Sequence, residues 1–296
     1  MYTIVEAKLL APQIKLFRIE APATARRQRP GQFVIVRVHK AGERIPLTVS
    51  DSDPHAATIP LIVQGVGKTT RLLNEKGAGD FVLDVVGSLG KPSEIMRFGA
   101  VVVIGGGVGA AIAYPTARAL KQAGNHVTVV LGARSRDFII LEQEMRSISD
   151  RLSVTTNDGS YSQKGLVTDA LCHRLTAGPS VNYVLAIGPI RMMAAAADVT
   201  RPFGIRTVVS VNPIMVDGTG MCGGCRIQVG TESRFACVDG PEFDARRVNV
   251  GRLVARNTMY RQQELRALQE WERARSGNGC RLSSQGASLE PGDQFP

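Results

Sequence analysis

The hydrophobic period of this chain changes near residue 100, and that change constrains the fold more than any other feature. Upstream, TIVEAKLL, KLFRIEA, FVIVRV, IPLTVS, TIPLIVQ and DFVLDVV alternate or run apolar, with turn signals such as RPGQ and KAGE between them. Six strands at this spacing predict a small antiparallel barrel. One interruption, GVGKTTRLLNEKGAGD, reads as a single short helix. Downstream, VVVIGG, HVTVVLG, LSVTT, NYVLAIG and RTVVSV alternate with helical patterns at 109–123, 138–149, 165–175 and 189–200. Five strands alternating with helices predict a parallel, doubly wound sheet. The fold class expected is therefore α/β plus all-β, with the barrel over 1–97 and the sheet over 98–212. A cysteine-containing region follows over 213–258, then a C-terminal segment, 259–296. A helix is expected over roughly 258–275, and SGNGCRLSSQGASLEPGDQFP reads as a disordered tail because it is poor in apolar residues.

At 296 residues the chain is long enough to bury a core in two ordinary domains. No apolar run approaches the roughly 18 residues of a membrane span. The start, MYTIVEAKLL, lacks the basic region and apolar run of a signal peptide, which points to the cytoplasm. Five cysteines, odd in number and clustered, suit a reducing compartment and a metal site better than a disulfide framework. The net charge is +10, but the basic residues are scattered. They are read as serving an acidic partner or cofactor phosphates, not nucleic acid.

Three segments carry chemistry. In IGGGVGAA (104–111), Gly105, Gly107 and Ala110 match G-x-G-x-x-[GA] between a strand and a helix, with Gly106 and Gly109 alongside. Glycines let the backbone approach a pyrophosphate, and the helix N-terminus favours its charge. Tight strand–helix turns collect glycines for packing reasons as well. No acidic ribose ligand ends the next strand; instead Arg134 and Arg136 stand there, either as ligands of an NADP 2′-phosphate or as solvated surface residues. The second segment pairs RIPLTVS (44–50) with GVGKTT (65–70). Arg44 offers a planar fork suited to a diphosphate. Gly65, Gly67, Lys68, Thr69 and Thr70 open a short helix whose amides and hydroxyls can hold phosphate, though either piece alone reads as an ordinary barrel turn or cap.

The third segment, VDGTGMCGGCRIQVGTESRFACVDG (216–240), has the spacing D-x4-C-x2-C-x11-C from Asp217 through Cys222 and Cys225 to Cys237. Plant-type two-iron clusters use C-x4-C-x2-C with a distant fourth cysteine, so Asp217 stands in the first-ligand position. Zinc, or three inert thiols, are the alternatives. The histidines, at 39, 55, 126 and 173, all lie outside the segment. Cys172 and Cys280 are read as bystanders.

Barrel, nucleotide sheet and cluster loop, in that order, resemble the ferredoxin–NADP reductase superfamily. RIPLTVS resembles its flavin motif, adding Pro46, Leu47 and Thr48 to Arg44. AIGPIRMM (186–193) resembles its C-G-P-x-x-M motif through Gly188, Pro189 and Met192, with Ile187 where cysteine is common. VGKTTRLL, GSLGKP, GARSRDFIILEQEM, TNDGS (with Asp158) and FACVDGPEFDA narrow the likeness. The chain is similar, over roughly 1–260, to the small (alpha) subunit of NADH-dependent ferredoxin:NADP oxidoreductase, also called the sulfide dehydrogenase β subunit. The electron-transfer subunit of dihydroorotate dehydrogenase is a close relative, but it carries cysteine where Asp217 stands here. The resemblance implies FAD on the barrel, NAD(P)H on the sheet and a [2Fe-2S] cluster on Asp217, Cys222, Cys225 and Cys237. It further implies a large glutamate-synthase-like flavoprotein partner with [4Fe-4S] clusters, in a heterodimer or higher assembly, and ferredoxin as a possible acceptor. A free-standing NAD(P)H:ferredoxin reductase is the remaining enzyme reading. No side chain is expected to act as a general acid or base.

Overall fold

The computed structural model describes residues 1–279. Its first third contains β1 (Tyr2–Ala11), β2 (Ile14–Glu20), α1 (Pro22–Arg27), β3 (Phe33–Arg37), β4 (Arg44–Thr48), β5 (Thr58–Gln64), α2 (Lys68–Asn74), β6 (Phe81–Val82) and β7 (Asp84–Leu89). These strands form two antiparallel sheets, β5-β2-β1-β6 and β4-β3-β7. The expected strand DFVLDVV is in fact two. Phe81 and Val82 pair with β1, and from Asp84 the chain pairs with β3. A strand that changes sheets at a corner closes a barrel without an exposed edge. Ile4, Phe17, Ile19, Val34, Val36, Ile59 and Leu61 fill its centre. Helix α1 was not expected; Pro22 opens it, and six residues give too little pattern to read.

The second unit runs β8 (Ala100–Gly106), α3 (Gly109–Gln122), β9 (His126–Ala133), α4 (Glu142–Ile148), β10 (Arg151–Thr156), β11 (Gln163–Lys164), α5 (Val167–Ala177), β12 (Tyr183–Ile187), α6 (Ile190–Thr200) and β13 (Arg206–Ser210). The cysteine region adds β14 (Arg226–Val229), β15 (Glu232–Phe235), α7 (Ala236–Asp239), β16 (Glu242–Asp244) and α8 (Val250–Asn257). The large sheet has the order β11-β10-β9-β8-β12-β13-β16. Its five long strands are parallel, as the alternation predicts. Four strands were missed in the sequence: β11 and β16, of two and three residues, and β14 and β15, of four each, all too short for periodicity to register. β16 runs antiparallel to β13, so the cysteine region is stitched to the sheet edge.

The VVVI run of β8 is buried on both faces, and its period of two divides it between cores. Val101 and Val103 pack with α3 and with Met145 of α4, whereas Val102 and Ile104 pack with Leu171 of α5 and Met193 of α6. That is why the strand reads as continuously apolar. The last helix, α9 (Arg261–Gly279), starts and ends a few residues later than expected, so 276–279 are helical. The rest of the expected disordered tail, with Cys280, lies outside the described residues. α9 reaches back to α2 through the ion pairs Arg71–Glu272 and Arg275–Glu75. Among the described residues no helix is long and apolar enough to cross a membrane.

The linker between the units meets both α3 and β16. Ser93 Oγ donates to Glu242 Oε1 at 2.6 Å and lies 2.9 Å from Thr116 Oγ1 of α3. Burial pushes the Glu242 carboxyl up from 4.5 to about 7, the Ser93 bond opposing and the Glu94 charge assisting. A carboxyl raised in the folded state stabilises the fold fully below its ordinary range, and that contribution is lost as pH rises through the folded value. Glu242→Gln should therefore flatten the loss of stability between about pH 4.5 and 7, measured by thermal unfolding across that range. The same slope in both proteins would contradict this.

Candidate functional site

Strand β8 enters mid-sheet. The chain adds β9 and β10 on one side of it and β12 and β13 on the other. The reversal opens a crevice beyond the carboxyl ends of β8 and β12, where doubly wound sheets receive ligands. The two turns at that point carry the glycine motifs. Gly106, Gly107 and Gly109 follow β8, while Gly188, Pro189 and Met192 follow β12. Both turns line one cleft of about 880 Å³. Its opposite wall is the barrel: Pro46, Leu47 and Thr48 of β4, and Thr70 of α2. Arg134, beyond the end of β9, also faces it. Residues singled out from three separate segments therefore meet in one space.

Other expected residues lie outside that lining. Arg44 is exposed at the start of β4, at alternate positions with Pro46 and Thr48 and so on their face of the strand. Gly65 bonds its amide to the Gln13 carbonyl, and Gly67 caps α2, with exposed Lys68 next. Thr70 Oγ1 accepts from the amides of Val66 and Gly67, both at 3.0 Å. Thr69 turns away and donates its hydroxyl to the Glu43 carboxylate. Gly105 and Ala110 press strand against helix behind the turn: a Cβ at 105 would lie 2.8 Å from Ala110 Cα. The arginines diverge. Arg134 stacks over the Phe138 ring at 3.7 Å and faces the cleft, whereas Arg136 lies 5.3 Å over the Tyr161 ring. Asp158 is occupied in its own turn, accepting from the Ser160 amide and hydroxyl at 2.9 and 2.7 Å.

Sequence reasoning missed Asn157, Arg191 and Asn212, which also line the cleft. Asn157 and Asn212 stand just past the carboxyl ends of β10 and β13, and Arg191 lies in the first turn of α6. Their signal was position relative to predicted parallel strands, not residue type. The cleft can accept a dinucleotide: Gly107 has φ +56°, and nothing lies within 4 Å of where its Cβ would be, leaving backbone open to a ligand.

The cysteine loop packs against the same face of the barrel wall that borders the cleft, which Phe33 and Met215 also line. Phe33 and Ile35 of β3 share a core with Met215, Cys225 and Cys237. Asp217 and Cys222 form one donor pair, for Asp217 Oδ1 accepts from the Thr219 amide and Oδ2 from the Cys222 amide, both at 2.8 Å. Those bonds, Thr219's first, hold the Asp217 carboxyl below its ordinary range. Cys225 and Cys237 form the second pair, their sulfurs 3.1 Å apart. Burial pushes the Cys237 thiol up to about 12, so metal binding must release its proton. Two pairs of donors, with Gly224 N–H donating to Cys222 Sγ and Cys237 N–H to Cys225 Sγ at 3.4 Å each, suit a two-metal sulfur cluster.

Fold and site together define a flavin- and iron–sulfur-dependent electron-transfer subunit of the ferredoxin–NADP reductase superfamily. Residues 103–198 match the oxidoreductase NAD-binding domain, and residues 212–249 match the iron–sulfur cluster binding domain of dihydroorotate dehydrogenase B. A homologue of the dihydroorotate dehydrogenase B (NAD(+)) electron transfer subunit from Thermotoga maritima is 49% identical over 88% of this chain and 92% of its own. The Geobacillus thermodenitrificans electron transfer subunit of that enzyme is 31% identical over 82% of this chain and 95% of its own. A solved structure of NADH-dependent reduced ferredoxin-NADP oxidoreductase superposes with a TM-score of 0.87 at 47% identity, covering 92% of this chain and 98% of that one. The chain belongs to the family of dihydroorotate dehydrogenase B electron-transfer subunits and their homologues, with NAD(P)H, FAD and an iron–sulfur cluster as its cofactors.

One position in the cleft floor tolerates no side chain. A Cβ at Gly109 would sit 2.8 Å from the Ile187 carbonyl carbon and 2.9 Å from Gly188 Cα, both backbone. Gly109→Ala should force apart the turns after β8 and β12, at a cost of about 1–3 kcal/mol, and weaken NADH binding more than tenfold. Gly107→Ala, which meets open space but left-handed backbone, should cost only about 1 kcal/mol. Urea unfolding with NADH titration separates them; equal effects would refute the packing argument.

Proposed function

We propose that this chain is the small subunit of a nicotinamide- and ferredoxin-linked complex. It passes electrons between NAD(P)H and a large glutamate-synthase-like flavoprotein with [4Fe-4S] clusters, in the cytoplasm. The observation that carries this reading is the single cleft joining the β4 strand to both glycine turns, with the cysteine loop packed on the same β3–β7 sheet. The likeness to the NADH-dependent ferredoxin-NADP oxidoreductase structure, whose subject is flavin-based electron bifurcation, supports it over nearly the whole of both chains. The proposed units are 1–97 for FAD, 98–212 for nucleotide, 213–258 for the cluster and 259–296 for the C-terminal segment. A second reading, delivery of electrons to a dihydroorotate dehydrogenase, is favoured by the match over 212–249. The partner that co-purifies distinguishes the two.

In this mechanism no side chain moves a proton. The chemistry a bound flavin would supply is hydride exchange with a nicotinamide and single-electron exchange with a cluster. Pro46, Leu47 and Thr48 hold the flavin edge, and Arg44 with the Gly65–Thr70 turn binds its diphosphate. In that turn Gly67 leaves open backbone, and Thr70 fixes its shape rather than offering a free hydroxyl. Gly105, Gly106, Gly107, Gly109 and Ala110 shape the nucleotide turn. Gly188, Pro189 and Met192 set the nicotinamide end, and Arg134, with Arg136 and Asp158 at the rim, faces the ribose end. Asp217, Cys222, Cys225 and Cys237 hold a [2Fe-2S] cluster.

Cofactor analysis and substitutions test this assignment. Anaerobically purified protein should contain FAD, iron and acid-labile sulfide, and Cys225→Ser should lose the cluster while its flavin remains reducible by NAD(P)H. Asp217→Cys should keep a two-iron cluster with altered potential. Asp217→Asn keeps at most one of the two amide-to-carboxylate hydrogen bonds and removes the anionic ligand, so a wild-type cluster spectrum in that variant would remove Asp217 from the ligand set. For the nucleotide, Arg134→Ala should raise KM for NADPH at least fivefold and leave NADH nearly unchanged, whereas Arg136→Ala should change neither. A wild-type protein that ignores NADPH would refute a 2′-phosphate role for Arg134.

A further inference from the structure

Helix α8 lies beyond the residues matched to the iron–sulfur domain, which end at 249. Yet two consecutive side chains of its last turn reach back into the site. Arg256 Nη2 donates to the Gly224 carbonyl at 3.0 Å, and Asn257 Nδ2 donates to the Asn212 carbonyl at 3.0 Å. Gly224 is inside the cysteine loop, and its own amide points at Cys222 Sγ. Asn212 lines the cleft. The helix is fixed where it must be: Asn249 caps it by accepting from the Arg252 amide at 3.0 Å, and Leu253 is buried under the loop's core. The Arg256 guanidinium is half-buried, and its Nε is enclosed with no hydrogen-bond partner. Among the described residues no carboxylate pairs with Arg256. A full positive charge is therefore set against the loop without a neighbouring anion to cancel it.

We propose that Arg256 is the positioning residue that sets the reduction potential of the cluster, by its charge and by fixing Gly224 against Cys222. The inference rests on reading the loop as the [2Fe-2S] site. One-electron reduction adds one negative charge to a cluster whose four protein donors are already anionic, and a fixed nearby cation stabilises that added charge. The bond to the Gly224 carbonyl holds in place the residue whose amide donates to a ligand sulfur, which favours the same redox state. Because α8 also holds the Asn212 carbonyl, one helical turn ties the cluster loop to the rim of the nucleotide cleft.

Substitutions separate charge from shape. Gln at 256 keeps a donor for the Gly224 carbonyl and loses the charge; Lys keeps the charge and loses the planar fork. The full-length chain, purified without air, would be poised with dithionite and mediators and the reduced cluster followed by electron paramagnetic resonance. Arg256→Gln should lower the reduced-to-oxidised ratio at a fixed poise by about tenfold, a shift of about 59 mV to more negative potential for one electron. Arg256→Lys should stay within about threefold of the parent, and FAD content and flavin reduction by NADH should be unchanged in both. If Arg256→Gln does not hold a cluster, Arg256→His supplies the test: its potential should fall more steeply than the parent's from pH 5.5 to 8, as the imidazole loses its charge at around 6.5. An unmoved potential in cluster-containing Arg256→Gln, equal shifts in Gln and Lys, or a parent-like pH slope in Arg256→His overturns the role of Arg256. Absence of acid-labile sulfide from the unsubstituted protein overturns the cluster reading beneath it.

Discussion

Strand β3 is buried on both faces, and the arrangement of the three regions depends on it. Val34 and Val36 enter the barrel core, while Phe33 and Ile35 enter the core that holds Met215, Cys225 and Cys237. Each of the four is at most 2% exposed. Burying a Phe or Ile side chain contributes roughly 1.5–3 kcal/mol, so parting the cysteine loop from the barrel would forfeit several such terms together. The approach is close: a Cβ at Gly218 would lie 3.1 Å from Ile35 Cγ1, and Leu89 of β7 is nearer still. A loop with a larger residue there could not lie flat on the β3–β7 sheet. The wall that faces the cleft at one end is thus the wall against which the cluster loop is seated.

A second constraint acts from the other side. The reversal of strand order between β8 and β12 places two glycine turns at one crevice, where Gly109 packs directly on the backbone of Ile187 and Gly188. α3, which starts at that crevice, is also tied to the barrel: Arg118 donates to both Asp51 carboxylate oxygens, at 2.9 and 2.5 Å. A bidentate pair of this kind fixes orientation as well as distance. The cleft between barrel and sheet is accordingly held by a directional contact on α3 and by apolar packing through β3.

Much of this was legible in the sequence because periodicity reports burial. The VVVI run announced a strand covered on both faces, and the barrel strands alternated as half-buried strands do. The glycine motifs were legible because close backbone approach excludes side chains, as at Gly105 and Gly109. What escaped has a common cause. β11, β14, β15, β16 and α1 are too short for a period to show. Asn157 and Asn212 act through their place at strand ends, which no local pattern encodes. Thr69 and Thr70 matched a phosphate-binding turn by type, yet one hydroxyl goes to Glu43 and the other to its own turn's amides, and only the three-dimensional neighbours decide that. Arg134 and Arg136 looked equivalent two residues apart. The aromatic rings of Phe138 and Tyr161 direct them to different places.

Charge gives the last link between fold and chemistry. The chain carries 36 basic and 26 acidic residues, and its arginines play different parts. Several arginines are neutralised in pairs that join segments: Arg118 to Asp51, Arg206 to Glu94, Arg37 to Asp84 and Arg71 to Glu272. Others stand where anions are expected. Arg134 and Arg191 face the nucleotide cleft, and Arg256 lies against the cysteine loop. Dinucleotide phosphates and a thiolate-ligated cluster are concentrated negative charge, and in an interior of low effective dielectric that charge must be met locally. A carboxylate beside these arginines would tighten the fold and weaken the field at the cofactors. Among the described residues the same residue type thus staples segments together at Arg118, Arg206, Arg37 and Arg71 and stands unpaired at Arg134, Arg191 and Arg256, where anionic redox groups are expected.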